Sequence, residues 1–203
     1  ADGTEKTSEV LTYSVKQYCQ HILSNKDAFD DNTVLLVKKI LNYGAYSQQY
    51  FNYNTKNLAN DIMADSDKTL SGKNELLAGN STFKTYSVSG VKYYGRSLIL
   101  KSNIVIRVYF ELTDSKKISE HEFKQGDTVL KPVKSGGLYY VDIADITPAE
   151  YDTTFTVTAD GKSFVSSGVY DYCRSVLNSD NASEKLKDLS VSMYELGVAA
   201  LKQ

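Results

Sequence analysis

The sequence predicts an α+β fold in which two pseudo-symmetric helical hairpins, one at each end of the chain, flank an inserted antiparallel β-sandwich of about seven strands. Val15–Leu23 and Val169–Leu177 share Val, Tyr, Cys and Leu at matched places. In both segments apolar residues recur at i, i+3, i+4, i+7 and i+8, the pattern of a helix with one face on a core. Between them, residues 83–165 alternate with a period of two, which indicates strands.

This prediction divides the chain into three parts. Residues 1–82 hold the N-terminal hairpin and a long polar excursion, and residues 83–165 form an immunoglobulin-like or fibronectin-like sandwich. Residues 166–203 form the C-terminal hairpin, which packs with the N-terminal one. The repeat favours a single domain, because a split into two would separate the copies.

Helix boundaries follow from capping residues. The first helix is predicted to begin after Ser14 and to end near Asn25, behind a short strand at residues 8–13. The second helix is predicted from about Thr33 to Tyr50, with Asn32 or Thr33 as its cap. Residues 52–82 are polar, with a short helix possible at 57–64.

The C-terminal copy repeats this plan. Its helices are predicted at about 167–178, behind a strand at 162–165, and at about 183–201, with Asn181 or Ser183 as the cap of the second. Between the hairpins, the clearest strand is 104–112, where Ile106, Val108 and Phe110 alternate with outward residues. Further strands are predicted at 83–88, 92–101, 120–124, 128–133, 138–143 and 153–159.

Charge and composition exclude several partners. The net charge is −2, from 23 basic and 25 acidic residues, so no nucleic-acid binding is expected. No apolar run reaches the about 18 residues of a membrane span, so no membrane insertion is expected. The chain has 16 Tyr and no Trp, and tyrosine suits contacts with hydroxyl-rich ligands. With abundant Ser, Thr and Asn, this composition indicates a secreted or cell-surface module.

No motif indicates catalysis. The two His lie in no zinc-binding motif, so neither a metal nor a cofactor is predicted. Cys19 and Cys173 lie on predicted core faces, either as buried thiols or as a disulfide that joins the hairpins. The chain is therefore predicted not to be an enzyme, although a glycosidase with two facing carboxylates stays a third possibility.

Tyrosines supply the candidate binding residues. One group forms a stripe on the second helix, which either binds ligand or packs beneath the sandwich. The other lies in two strands, where each tyrosine pair should offer one core ring and one solvent ring. The solvent rings either form a stacking platform for sugars, with an arginine as hydrogen-bond donor, or a cross-strand aromatic pair. The stripe is Tyr43, Tyr46, Tyr50 and Tyr53, and the strand group is Tyr93, Tyr94, Arg96, Tyr139 and Tyr140.

Three segments carry a resemblance. Leu36–Phe51, Tyr93–Leu98 and Gly137–Ile143 resemble a module of large secreted or cell-wall proteins of gut Firmicutes, some of which carry dockerins or polysaccharide-binding neighbours. The chain also resembles non-catalytic domains of ruminococcal starch-adherence proteins, which mix β-sandwich and helices. The resemblance implies an extracellular location and binding of α-glucan. It transfers no binding residues.

The resulting hypothesis is a non-catalytic extracellular carbohydrate-binding module. Its partners would be a polysaccharide or oligosaccharide, either starch-like α-glucan or another plant polysaccharide, and the neighbouring modules of a larger chain. The alternative is a structural, adhesion or protein-docking module that binds no sugar. A row of exposed tyrosines would favour the first hypothesis.

Overall fold

The chain is α+β, and the computed structural model describes residues 14–101 and 103–203. Helices lie before and after a run of antiparallel strands. The helices are α1 (Val15–Ser24), α2 (Asp31–Phe51), α3 (Asp65–Lys68), α4 (Lys73–Ala78), α5 (Val169–Leu177) and α6 (Glu184–Ala200). The strands are β1 (Lys84–Thr85), β2 (Val91–Leu100), β3 (Ile104–Leu112), β4 (Phe123–Gln125), β5 (Thr128–Leu130), β6 (Val133–Ser135), β7 (Leu138–Ile146), β8 (Phe155–Ala159) and β9 (Lys162–Ser167).

The strands form two antiparallel sheets. Five strands pair in the order β1-β9-β8-β4-β5, and four pair in the order β2-β3-β7-β6. The inner faces of both sheets meet in one core, where the Phe110 ring lies 4.6 Å from that of Phe123 and 6.0 Å from that of Phe164. The four-stranded sheet therefore has one face on the core, and its opposite face carries the half-exposed residues of β3 and β7.

The predicted arrangement of two equivalent hairpins that flank a sandwich is wrong. Helix α5 lies in the same core as both sheets, where Val169 and Cys173 are fully buried. Helix α1 instead packs on a separate small cluster with α2, and its Val15 and Tyr18 are exposed. Periodicity predicts that a helix has an apolar face, but it does not specify what that face meets. The two copies therefore occupy different environments, and the described residues form nine strands in two sheets where about seven were predicted.

Local capping explains where the helices begin and end. Ser14 caps α1, as predicted, and Ser183, one of the two predicted candidates, caps α6. The predicted cap of α2 is wrong, because the Asp30 carboxylate accepts hydrogen bonds from both the backbone and the hydroxyl of Thr33. Helix α2 ends at Phe51, since Asn52 adopts a left-handed conformation with φ of 52°.

The next two predictions concern a short helix at 57–64 and a strand at 8–13. The helix predicted at 57–64 is wrong, because these residues form turns and the short helices α3 and α4 follow later. The strand predicted at 8–13 lies outside the described residues. Its predicted counterpart at 162–165 is part of β9, which pairs with β8 and β1.

The buried-thiol interpretation of the cysteines is confirmed. Both thiols are free, with Cys19 in the small cluster and Cys173 in the main core. Burial raises the pKa of the Cys173 thiol to about 12. Neither thiol therefore has the environment of a catalytic nucleophile.

Buried carboxylates fix the excursion between α2 and β1 to the C-terminal helices. Asp171 accepts hydrogen bonds from the backbone and hydroxyl of Thr82, from the Ser81 hydroxyl and from the Gly168 backbone. Glu195 accepts from the backbone N–H groups of residues 71 and 72 and pairs with Lys39 at 2.7 Å. These bonds supplement the buried Met63 and Leu76 of the same segment.

Candidate functional site

The tyrosine stripe of α2 is divided between core and solvent. Tyr43 packs against the main core, and burial raises the pKa of its hydroxyl. Tyr46 is half-buried and donates a hydrogen bond to the Lys68 carbonyl at 3.1 Å. Tyr50 is 37% exposed and Tyr53 is 72% exposed, but Tyr53 lies beyond the end of the helix. The first two residues therefore pack inside, and no continuous row of four tyrosines forms.

The tyrosine pairs of β2 and β7 divide as strand alternation predicts. Tyr93 packs on Phe83 with 5.9 Å between the rings, and Tyr139 stacks on Phe110 at 6.0 Å and 24°, so both rings face inward. Their neighbours face the other way. Tyr94 is 66% exposed, and Tyr140 is half-exposed on the opposite face of the sheet from Phe110. Each pair thus offers one outward ring.

Arg96 lies on the inner side of β2, where hydrogen bonds from both of its terminal nitrogens hold it. Its guanidinium donates to the hydroxyls of Ser167 and Ser175 at 2.8 and 2.7 Å and to the Asp171 carbonyl at 3.0 Å. It also lies 3.7 Å over the Phe83 ring. These contacts join β2 to β9 and α5, so the structure assigns Arg96 a role in packing and separates it from the outward tyrosines.

A tyrosine of β3, absent from the predicted site, lies between the two outward rings in the strand order of the four-stranded sheet. In the strand register, Gly95 of β2 lies opposite Tyr109 of β3, and Tyr109 lies opposite Tyr140 of β7. The Tyr109 and Tyr140 rings are 5.9 Å apart at 61°, an edge contact. We call this surface the tyrosine face and define it by Tyr94, Gly95, Arg107, Tyr109, Tyr140 and Asp142.

A β-bulge in β2 opens space on the tyrosine face. The register shifts between Tyr93 and Gly95, so Tyr94 is an extra residue in the strand and points to solvent. A Cβ atom built on Gly95 would meet no atom within 4 Å. Glycine within a strand often marks a place where a ligand approaches the backbone. The surface directly across from Tyr109 is therefore open.

Arg107 and Asp142 form a rigid polar group beside these rings. They are paired residues on adjacent strands, and the guanidinium donates from Nε and Nη2 to the two carboxylate oxygens, each at 2.8 Å. The guanidinium also lies 3.6 Å over the Tyr140 ring. The bonds to Asp142 raise the pKa of Arg107, which keeps it charged. These bonds do not use Nη1, and a side-chain hydrogen bond with Tyr109 also raises the pKa of Arg107.

The tyrosine face continues into a polar groove beside β7. The groove has a volume of about 460 Å³ and shares Tyr140 and Asp142 with the face. It lies between β7 and the segment that joins β5 to β6. Its other polar lining residues are Gln125, Thr128, Lys131 and Asp145.

The alternation of buried and half-exposed residues in β3 already indicates that Arg107 and Tyr109 face outward, although neither was predicted as a site residue. Arg107 and Tyr109 occupy the positions opposite to the buried Val108 and Phe110, so the period-two pattern already turns them outward. The alternation does not predict which residues of neighbouring strands lie opposite each other. Only the hydrogen-bond pairing of the strands shows that Gly95 and Tyr140 flank Tyr109.

Candidate metal ligands, His121 and helix length complete the description of residues 14–101 and 103–203. Residues 14–101 and 103–203 contain no group of three or more His, Cys, Asp or Glu that could hold a metal ion. His121 is buried between Asp160 and Asp114, at 2.9 and 3.4 Å, where it links the β8–β9 turn to the segment after β3. Among the described helices, none is long and apolar enough to cross a membrane.

Comparison with protein-family models, curated proteins and solved structures found no match to this chain. The resemblance to modules of gut Firmicutes and to starch-adherence proteins therefore stays a prediction. Among the described residues, the tyrosine face is the surface whose geometry best indicates a function.

Proposed function

We propose that the chain is a non-catalytic carbohydrate-binding module and that the tyrosine face is its binding surface. The observation that carries this proposal is the outward row that runs from Tyr94 and Gly95 through Tyr109 to Tyr140 across three adjacent strands. The row offers the exposed Tyr94 ring and the half-exposed Tyr109 and Tyr140 along one line, with one face of the Tyr140 ring covered by the Arg107 guanidinium. A polysaccharide offers a matching series of apolar C–H faces and hydroxyls.

The polar groups of the face suit a sugar ligand. The fork between Arg107 and Asp142 fixes the direction of the remaining guanidinium N–H groups, so a sugar hydroxyl would bind without a large loss of side-chain entropy. Tyr109 supplies a ring beside this donor. Together they provide one stacking surface and one hydrogen-bond donor within a single patch.

The charges of the face favour a neutral polysaccharide. Arg107 is neutralised by Asp142, and Lys92 of β2 pairs with Glu111 of β3 at 2.8 Å. An anionic polymer would gain little from these cations, because each of them already has an anionic partner. A starch-like α-glucan is therefore our first candidate ligand, with other neutral plant polysaccharides next. We place this activity outside the cell, in a larger secreted or cell-surface protein.

Affinity electrophoresis tests the proposal. The protein is run through native gels that contain amylopectin, glycogen, xylan, pectin or hydroxyethylcellulose, with albumin as the reference. Retardation by one polysaccharide that is lost in Tyr94→Ala and Tyr109→Ala would support it. The matched control is Tyr53→Ala, since Tyr53 is 72% exposed and Tyr94 is 66% exposed but only Tyr94 belongs to the face. Equal mobility in every gel would reject carbohydrate binding for these polymers.

A second candidate function is the docking of a neighbouring module. An apolar groove of about 260 Å³ lies between the end of α2, the end of β2 and α6, and Phe51 at its rim is 57% exposed. Apolar grooves with an aromatic rim favour contacts with another protein surface. A Phe51→Glu variant that abolishes association with an adjacent module, while it keeps the retardation in polysaccharide gels, would assign docking to this groove.

A further inference from the structure

We infer that the ligand is an extended oligosaccharide segment that crosses from the tyrosine face over β7 into the polar groove, where Asp145 binds its hydroxyls. This inference rests on the proposed function and extends it to the length and path of the ligand. Its starting point is that Tyr140 and Asp142 belong to both surfaces. A chain that lies on the tyrosine row therefore reaches the groove without leaving the protein.

The spacing of the strands sets the length of the ligand. Neighbouring strands lie about 4.8 Å apart, so each strand that the ligand crosses adds a contact on the scale of one sugar ring. The row from β2 to β7 thus accommodates about three sugars, and the groove beyond β7 accommodates the next. We expect affinity to rise with chain length up to about four sugars or more, rather than to saturate at two.

Asp145 occupies an unusual backbone position in this groove. Ile104 pairs with Ile146 and Ile106 with Ile143, so Ala144 and Asp145 together lie opposite a single residue of β3 and form a bulge. Asp145 is exposed and has a φ of 61°, in the left-handed region that favours glycine. A non-glycine residue held there is less stable than glycine at the same position.

The place of the Asp145 side chain, and not its backbone conformation, indicates a binding role. Asp and Asn adopt the left-handed region more readily than other non-glycine residues, as Asn52 does at the end of α2. A carboxylate at this position, exposed along a polar groove that also contains Thr128 and Gln125, has the chemistry of a hydroxyl acceptor. Asp142 is already committed to Arg107, so Asp145 is the carboxylate available to the ligand.

The test compares Asp145→Gly with a matched control. Asn54→Gly relieves the same type of strain, because Asn54 is exposed and has a φ of 49°, but Asn54 lies outside the groove. The probes are the two-sugar and seven-sugar oligomers of the polysaccharide that retards the protein, which are maltose and maltoheptaose for amylopectin. Binding is measured by isothermal titration calorimetry, and stability by thermal unfolding.

We expect the wild type to bind the seven-sugar oligomer at least about tenfold more tightly than the two-sugar oligomer. Asp145→Gly should weaken binding of the longer oligomer about tenfold, as expected for one lost hydrogen bond to a charged group, while its melting temperature stays the same or rises. Asn54→Gly should leave both affinities unchanged. Equal affinity for the two oligomers, or an unchanged affinity of Asp145→Gly for the longer one, would overturn the inference. If no polysaccharide retards the wild type, the proposed function fails first.

Discussion

Gly95→Val should block the tyrosine face without harming the fold. The added side chain meets no atom within 4 Å at its Cβ, and the backbone at Gly95 lies outside the left-handed region. Glycine within a strand is less stable than alanine by about 0.5–1 kcal/mol, and valine has the higher strand propensity. The free energy of unfolding should therefore rise by about 0.5–1 kcal/mol, which raises the melting temperature of a chain of this size by about 2 °C.

The same substitution should weaken ligand binding. Gly95 lies opposite Tyr109, so the two methyl groups of valine would occupy the space in which the proposed sugar ligand would contact that tyrosine. Loss of one aromatic contact of about 1.4 kcal/mol lowers the affinity about tenfold.

Thermal unfolding monitored by circular dichroism and affinity electrophoresis measure the two effects separately. Gly137→Val is the matched control, because Gly137 also has no atom within 4 Å of its Cβ and lies in the β6–β7 turn. Wild-type affinity in Gly95→Val would show that the ligand does not lie over this position. A melting temperature of Gly95→Val well below that of the wild type would contradict the conclusion that the space around Gly95 is open.

Three further outcomes are expected from the buried groups. Asp171→Ala removes the acceptor of the bonds from Thr82 and Gly168 and should lower the free energy of unfolding by about 3–5 kcal/mol in urea denaturation; a loss below about 1 kcal/mol would argue against this anchor. Burial raises the pKa of both Asp171 and Glu195, but their hydrogen bonds outweigh it, so each folded pKa lies below its ordinary value. Their contribution to stability is therefore present above about pH 4 and is lost as the pH falls further, so melting temperatures that stay constant from pH 5 to pH 3 would refute this assignment. Cys173 should resist iodoacetamide at pH 8 in the folded protein and react after denaturation, since burial raises its pKa to about 12, and rapid labelling of the native state would show that the thiol is accessible.

Local chemistry explains which features the sequence predicts. It predicts the cap Ser14, and Ser183 as one of two candidates beside Asn181, because a hydroxyl cap needs only the backbone of its own first turn. The cap of α2 lies two or three residues before the predicted one, since Asp30 precedes a run of other polar residues that can cap a helix equally well. One outward ring in each tyrosine pair, such as Tyr94 in β2, is predictable because alternation along a strand is also a local property.

Long-range pairing explains the features that the sequence does not predict. Arg96 and Arg107 look alike in sequence, but Arg96 faces the core and meets Ser167 and Ser175, while Arg107 faces solvent and meets Asp142. These partners lie 35 to 79 residues away in the chain. Helices α1 and α5 likewise share one pattern of apolar residues but pack on different clusters.

The shared core has a consequence for how the molecule responds to stress. Residues of α5 and α6, such as Cys173 and Met193, belong to the same buried cluster as Phe110 and Phe164 of the two sheets. A fragment limited to residues 83–165 would leave that cluster incomplete along the side that the helices cover. The sheets and the C-terminal helices should therefore unfold in one cooperative transition, and a pulling force or a protease that releases α6 would dismantle the tyrosine face at the same time.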